Sequence, residues 1–524
     1  MHAALQTTEL VLDILSHLDQ VDLAAVARTC SRLSETALSQ IWKHLYGLAF
    51  IVRLLPEGKV SVDKTLEHRF YVIESLEDVD VERVKYYAGF VKSWEFASFN
   101  AAISTEDLQK VLAGLRGQAL FPNLRIFEYE GPSPFTPLLL SVIGLSVTTL
   151  KLYYNFGAEL GWNARSEDVD YSAERDLLLA IKVRKTGSPV TRLSLFIDLP
   201  CTEFVCSVLT DWNDLEYLLL DIDRVDPRTL MTIASLPRLE MLDMPAVDGF
   251  DHDSLALESS CARTSALSSV ILCGESVKGT LSILRPTSLS ELNLVGKLAA
   301  SAFRDLGMHM REVGIPDSLQ VMTFRQIIPR HSAHTEGAET YAEEALLMKY
   351  IQPLLFYQNL AQVILAFNTV SLTDGDVALL ARSWPRLRSL SLESASTAQS
   401  RITLPGILAF AQYCPGLGFP RLSIDATERR AIDSANIAFP RAHHRLRTLY
   451  LDNSELSSPG YVASFLTRFF PGVGPEGLVT SISDPRREEM WSDVRTLLPI
   501  LLDARMTGIH GGMSSVYQSR KSRA

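Results

Sequence analysis

A six-residue string, apolar-x-x-apolar-x-apolar, recurs along most of the chain. It reads at Val190/Leu193/Leu195, Leu215/Leu218/Leu220 and Leu239/Leu242/Met244. It returns at Leu289/Leu292/Leu294, Leu360/Val363/Leu365, Leu387/Leu390/Leu392 and Leu446/Leu449/Leu451. Weaker copies start at Leu124, Val147, Leu267, Leu319 and Phe419. Each string predicts a strand whose alternate residues face a core. The mean step is about 29 residues, the upper edge of the leucine-rich-repeat range. Between strings the sequence reads as helix: Asp374 to Ser383 leads into Trp384-Pro385-Arg386-Leu387, and Gly406 to Tyr413 into Cys414-Pro415. Such a step is a βα unit, and stacked units make a solenoid. Asn368 stands where an Asn bonds the turn after the strand, with Asn155, Asp198 and Asp223 at the same offset. Two intervals are long, from Val147 to Val190 and from Leu319 to Leu360. Their extra sequence, Asp170–Arg184 and Glu339–Phe356, reads as helical and fits either an insertion or a degenerate repeat.

The first fifty residues have a different period. Leu10, Val11, Ile14, Leu15 and Leu18 form one helical stripe. Leu23, Val26, Ala27, Cys30, Leu33 and Ala37 form a second, opened by Asp19 with Asp22 three residues on. A third places Leu38, Ile41, Trp42, Leu45 and Leu48 on one face. Three short amphipathic helices cannot bury much apolar area unaided, so they need the rest of the chain or a partner.

Glu9-Leu10, Ser16-His17-Leu18-Asp19, Asp22-Leu23, Ala27-Arg28-Thr29-Cys30, Ala37-Leu38 and Trp42 together resemble the F-box of fungal F-box proteins. One position departs from that pattern: Thr8 stands in place of the usual Pro before the acidic residue. The repeats resemble the leucine-rich repeats of the same family. The resemblance implies an α/β fold, a three-helix F-box followed by a curved βα solenoid with a parallel sheet on its concave face. The expected divisions are an F-box over 1–50, a helical linker or first-repeat adaptor over 51–120 and a solenoid over 121–480, with Pro122 starting the array. A C-terminal cap follows over 481–524, built on "LLPILLDARM" and ending in a frayed tail from Gly511.

The resemblance also implies a role: a non-catalytic substrate receptor of an SCF-type cullin-RING ubiquitin ligase. The box would hold a SKP-type adaptor and, through it, a cullin scaffold; the repeats would hold a protein target. Leu10, Ile14, Leu15, Leu18, Leu23, Val26, Ile41 and Trp42 are the candidate adaptor-binding residues. Outward strand positions supply the target-binding candidates Arg192, Phe196, Tyr217, Asp221, Glu291, Asn293, Ser391, Glu393, Tyr450 and Asp452. Ser194, Ser389 and Thr448 share their faces. An interaction scaffold that recruits no ligase is the competing reading.

Composition and chemistry narrow the function without changing the fold. Hydrophobic residues are 47% and charged residues 21%, enough for a large core. A net charge of −11 makes nucleic acid an unexpected partner. The first basic residue is Arg28, and the most apolar stretch, Phe135 to Val147, is short and broken by Pro137 and Gly144. A soluble cytoplasmic or nuclear protein without membrane contact is expected. The six cysteines, Cys30, Cys201, Cys206, Cys261, Cys273 and Cys414, lack metal or disulfide spacing. His331 and His334 with Glu336, the His443-His444 pair and Asp251-His252-Asp253 read as polar loops, and no metal or other cofactor is expected. A G-x-x-x-x-G-K-S/T phosphate loop and a G-x-S-x-G nucleophile elbow are absent from the sequence. Arg outnumbers Lys 37 to 13, which would suit a protein beside a ubiquitin-charged enzyme but follows equally from codon bias.

Overall fold

In the computed structural model the described residues are 7–521, except 64–69, 98–101, 131–133, 155–171, 183–188, 198–201, 247–265, 328–343, 396–399 and 428–444 and positions 75, 211, 223–224, 275–276, 298, 316 and 483. Asn155, Asp198, Asp223, Cys201, Cys261 and the three polar His clusters therefore lie outside the described residues. The chain divides into two compact units, Met1–Pro245 and Ala246–Ala524.

The first unit opens with three helices, α1 (Thr8–Ser16), α2 (Gln20–Thr29) and α3 (Ser31–Ile41). Seven strands follow: His44–Tyr46, Ser93–Ala97, Ile126–Glu130, Thr149–Tyr154, Arg192–Ile197, Tyr217–Ile222 and Met241–Pro245. Each is parallel to the next, and a helix intervenes at every step, as parallel pairing requires. The second unit has eight such strands, from Ser269–Cys273 to Leu478–Ser481, with a helix described at each step except that from Phe419–Arg421 to Leu449–Asp452. These are mixed α/β repeats in solenoid order.

Register is set by the string positions. In the first unit Leu45, Trp94, Phe127, Leu150, Leu193, Leu218 and Leu242 form one continuous row across the strands. In the second, Val270, Leu292, Met322, Val363, Leu390 and Pro420 do the same. Apart from Leu45 and Pro420, which lie on strands of three residues, the row members lie at most 1% exposed. A leucine removed from such a row loses both its transfer free energy and the space it filled.

All twelve string regions become strands of the array. Phe419 is misregistered: Pro420 pairs with Leu390, so the string begins at Leu417 and Phe419 points outward at 54% exposure. The array also starts before Pro122. Residues 44–46 and 93–97 are already parallel strands, because the Lys43 carbonyl accepts from the N–H groups of both Lys92 and Ser93. For the same reason α3 stops at Ile41, and Leu45 joins the row beside Trp94 rather than continuing the helix. The first-repeat region also holds an antiparallel hairpin, Val60–Asp63 with Phe70–Ile73.

The two long intervals are insertions. Thr149–Tyr154 pairs directly with Arg192–Ile197, and Val321–Gln326 directly with Gln362–Phe367, with no strand between. The helix Ser172–Lys182 fills the first interval; Met348–Ile351 and a 3-10 turn, Gln352–Phe356, close the second. At the Asn368 turn it is the backbone that is bonded: its N–H donates to Gln326 Oε1 at 3.0 Å and its carbonyl accepts from Ser394 Oγ at 3.2 Å. The last helix runs Pro485–Lys521. It caps the array through buried Trp491, Val494 and Leu498, with Trp491 Nε1 donating to the Ser454 carbonyl at 3.0 Å. The tail expected to fray from Gly511 continues this helix, since extending an existing helix needs no new nucleus.

Leu218→Ala and Leu390→Ala should each cost about 2–5 kcal/mol through cavity formation. The outward Asp221→Ala should leave the melting temperature nearly unchanged. Thermal unfolding of the three variants checks the register; a reversed order of losses would mean a one-residue slip.

Candidate functional site

The N-terminal helices are placed by local signals. Thr7 caps α1 in extended geometry (φ −91°, ψ 112°) without a side-chain bond, leaving Thr8 as the first helical residue. Asp19 caps α2 by accepting from the Asp22 N–H at 2.8 Å. Val11, Leu15, Leu23 and Ala37 form the buried centre, with Leu18, Val26, Ala27, Leu33 and Ile41 packed around it.

That packing sorts the candidate adaptor-binding residues. Leu10 and Ile14, one helical turn apart, face solvent at 47% and 50% exposure. Leu15 and Leu23 are 4% and 5% exposed and belong to the core that holds the three helices together. Leu18, Val26 and Ile41 are partly covered. Trp42 packs on Tyr87 at 4.8 Å and edge-on to Phe50 at 6.2 Å, which ties the helices to the first repeats. Val21, 76% exposed beside the α2 cap, is a further exposed apolar residue that is not among the candidates. It lies outside the second stripe, so periodicity gave no signal for it.

The second candidate surface is the outward face of the strands. In the first unit Arg192 and Asp221 are exposed, while Phe196 and Tyr217 are half-buried. Arg192 lies over the Tyr217 ring at 5.8 Å. Ser194, on the same face, is only 6% exposed, because its flanking strands carry larger side chains. Residues not anticipated join this face: Glu95, Glu128, Lys151, Tyr153 and Asp243. All but Asp243 occupy outward positions of weak or unrecognised strings; Asp243 stands between Leu242 and Met244 of a clear one. Lys151 Nζ donates to Glu128 at 3.1 Å. Burial, then the bond to Glu128 and the charges of Glu128 and Glu95, push the Tyr153 phenol up to about 12. Burial first and Asp221 second raise the Asp243 carboxyl above its ordinary range.

In the second unit Glu291 accepts from Asn293 Nδ2 at 2.8 Å and from Ser269 Oγ at 3.2 Å. Further along, Glu393 accepts from Ser391 Oγ at 2.8 Å and lies 3.7 Å from both Arg325 and Arg421. Arg421 also bonds Asp452 and sits 6.0 Å from the Tyr450 ring. Glu393, Arg421 and Asp452 line a cavity of about 280 Å³. Its charges are mutually neutralised. Among the described residues no group of His, Cys, Asp or Glu is arranged to hold a metal, and no helix is long and apolar enough to cross a membrane.

Residues 8–47 match a family model described as F-box-like, which spans α1 to α3 and the first strand. The chain thus carries an N-terminal F-box-like domain joined to an array of βα repeats. No curated protein matches. Among solved structures, "Crystal structure of TLR13-ssRNA13 complex" is similar at TM-score 0.41 and 13% identity over 74% of this chain. This chain spans 54% of that one, about half its length. "Crystal structure of Rad7 and Elc1 complex in yeast" is similar at TM-score 0.32 and 12% identity, covering 92% of this chain and 89% of that one. Likeness at these levels does not bear on function.

Two outcomes follow from this geometry. Leu15→Asp should cost about 3–5 kcal/mol, the scale of an uncompensated buried charge, and residues 8–41 should lose hydrogen-exchange protection. Leu10→Glu should leave that protection intact. Asp243 has a folded-state value above its unfolded one, so the stability it contributes is full at acid pH and falls as pH rises through the folded value. Asp243→Asn should therefore raise the melting temperature at pH 7, with the gain vanishing below about pH 4. A gain that persists in acid would assign the effect to packing.

Proposed function

We propose that the chain is the substrate-receptor subunit of an SCF-type cullin-RING ubiquitin ligase. The N-terminal domain binds a SKP-type adaptor and, through it, a cullin; the repeats bind a protein target, and the chain performs no catalysis. The observation that carries the reading is the split of α1 within the F-box-like match. One stripe, Val11 and Leu15, is consumed by the core, and a second, Leu10 and Ile14, is left facing solvent. A large apolar pair standing in water at fixed helical spacing is the kind of anchor that a partner surface buries. The tie between Trp42, Phe50 and Tyr87 favours a second reading, a scaffold whose helices serve only its own repeats. Capture of the purified adaptor separates the two. Leu10→Glu with Ile14→Glu should weaken capture by about 2–4 kcal/mol, the hot-spot scale, at an unchanged melting temperature. Full capture by that double variant would sink the ligase reading of this surface.

The Thr8 departure gives a second, opposite-signed test. Thr8 is the first helical residue, where Pro's fixed φ suits the helix and its missing N–H is one the helix leaves unpaired. Thr7 is already extended, as a following Pro demands. Thr8→Pro should stabilise the segment by about 0.4–1 kcal/mol and raise adaptor affinity by up to about fivefold. Isothermal titration would show it; a clear loss of affinity would mean that docking uses the Thr8 position itself.

A further inference from the structure

The strand face of the first unit carries an arrangement that repeat packing does not require. Tyr153 and Phe196 lie in register on adjacent strands and stack with ring centroids 4.4 Å apart and planes 9° from parallel. Both are half-buried, on the side away from the helices. Around them stand five carboxylates, with Glu130 in register opposite Tyr153 on the flanking strand. Asp221 is opposite Phe196 in register on the next strand, Glu128 is within hydrogen-bond reach of Tyr153, and Glu95 lies one strand beyond Glu128. Asp243 follows on the far side.

The cations on this face are already engaged, Lys151 with Glu128 and Arg192 over Tyr217. Glu95, Asp221 and Asp243 have no ion-pair partner among the described residues. The face is therefore an aromatic platform in a negative field. Burial of Asp243 beside Asp221 makes that field costly to the isolated chain, as its raised carboxyl reports. By contrast the corresponding face of the second unit closes its charges on itself through Arg325, Glu393, Arg421 and Asp452.

Arginine matches this chemistry better than any other side chain. Its guanidinium is planar, stacks on an aromatic face, and presents N–H donors at its edge to carboxylates; a lysine ammonium offers the charge without the plane. We propose that this face docks an extended, arginine-bearing segment of a target protein, with one guanidinium lying on the Tyr153–Phe196 pair and its edge donating to Asp221. Glu95 and Asp243 supply the attraction that brings the segment in. This deepens the receptor reading above and rests on it for the word target.

The test uses the full chain and a fluorescein-labelled peptide, Gly-Ser-Gly-Arg-Gly-Arg-Gly-Ser-Gly, followed by anisotropy. The arginine peptide should bind at least tenfold more tightly than its citrulline counterpart, which keeps the plane and loses the charge, and more tightly than its lysine counterpart. Asp221→Asn with Glu95→Gln should weaken binding at least fivefold. The equally charge-removing pair Glu57→Gln with Glu203→Gln, exposed but off this face, should not. Phe196→Leu keeps apolar bulk and should erase the preference for arginine over lysine. Undetectable binding, equal binding of arginine and citrulline peptides, or equal weakening by both acid pairs would overturn the proposal. Adaptor capture is measured on every variant and should not change. Peptide binding without adaptor capture in the natural chain would remove the ligase reading alone; adaptor capture without peptide binding would remove this proposal alone.

Discussion

The inward row of apolar side chains fixes everything else in the molecule. A strand's side chains alternate with a period of two, so once Leu150, Leu193, Leu218 and Leu242 are committed to the core, their neighbours must face outward. A slip of one residue would put a row of leucines in water. The cost grows with each strand added, which makes the register of a parallel array harder to lose than that of any single pair. The outward faces, with Arg192, Phe196 and Asp221 in one unit and Glu393, Arg421 and Asp452 in the other, follow from the leucines behind them.

The N-terminal helices obey the same logic with a different period and a different outcome. Their shared core is small: Val11, Leu15, Leu23 and Ala37. It is enough to fix three helices against each other and, through Trp42, against Phe50 and Tyr87. It is too small to use every apolar residue in the segment, and Leu10, Ile14 and Val21 remain outside it. The receptor function proposed for this chain assigns those leftovers to a partner, and assigns the strand faces to a target.

Much of this was readable from the sequence, and the failures have physical causes. Leucine strings located twelve strands because their residues have one role each. The strand at Ser93–Ala97 was missed because its string, Val91/Trp94/Phe96, is filled by aromatics. These stack in a ladder with Phe127 and Tyr129 rather than packing as aliphatics. The first and last strands were missed because Gly47 and Thr480 stand where a second inward apolar residue would be. Pro420 in an inward position shifted the Phe419 string by two. At α1 the apolar stripe spans nearly half the helix, and periodicity alone cannot say which edge meets the core; only the packing of α2 and α3 decides that Leu15 is inside and Leu10 outside. The carboxylates around Tyr153 come from strands far apart in sequence, so no local motif announces them.

The division of α1 into a stripe that folds the domain and a stripe that docks it is the claim on which the functional account stands. Hydrogen–deuterium exchange on the full chain, with and without purified SKP-type adaptor, tests it most directly. The account predicts new protection concentrated in residues 8–29, with the strands of both units unchanged. Protection confined to the strands, or none at saturating adaptor, would contradict it.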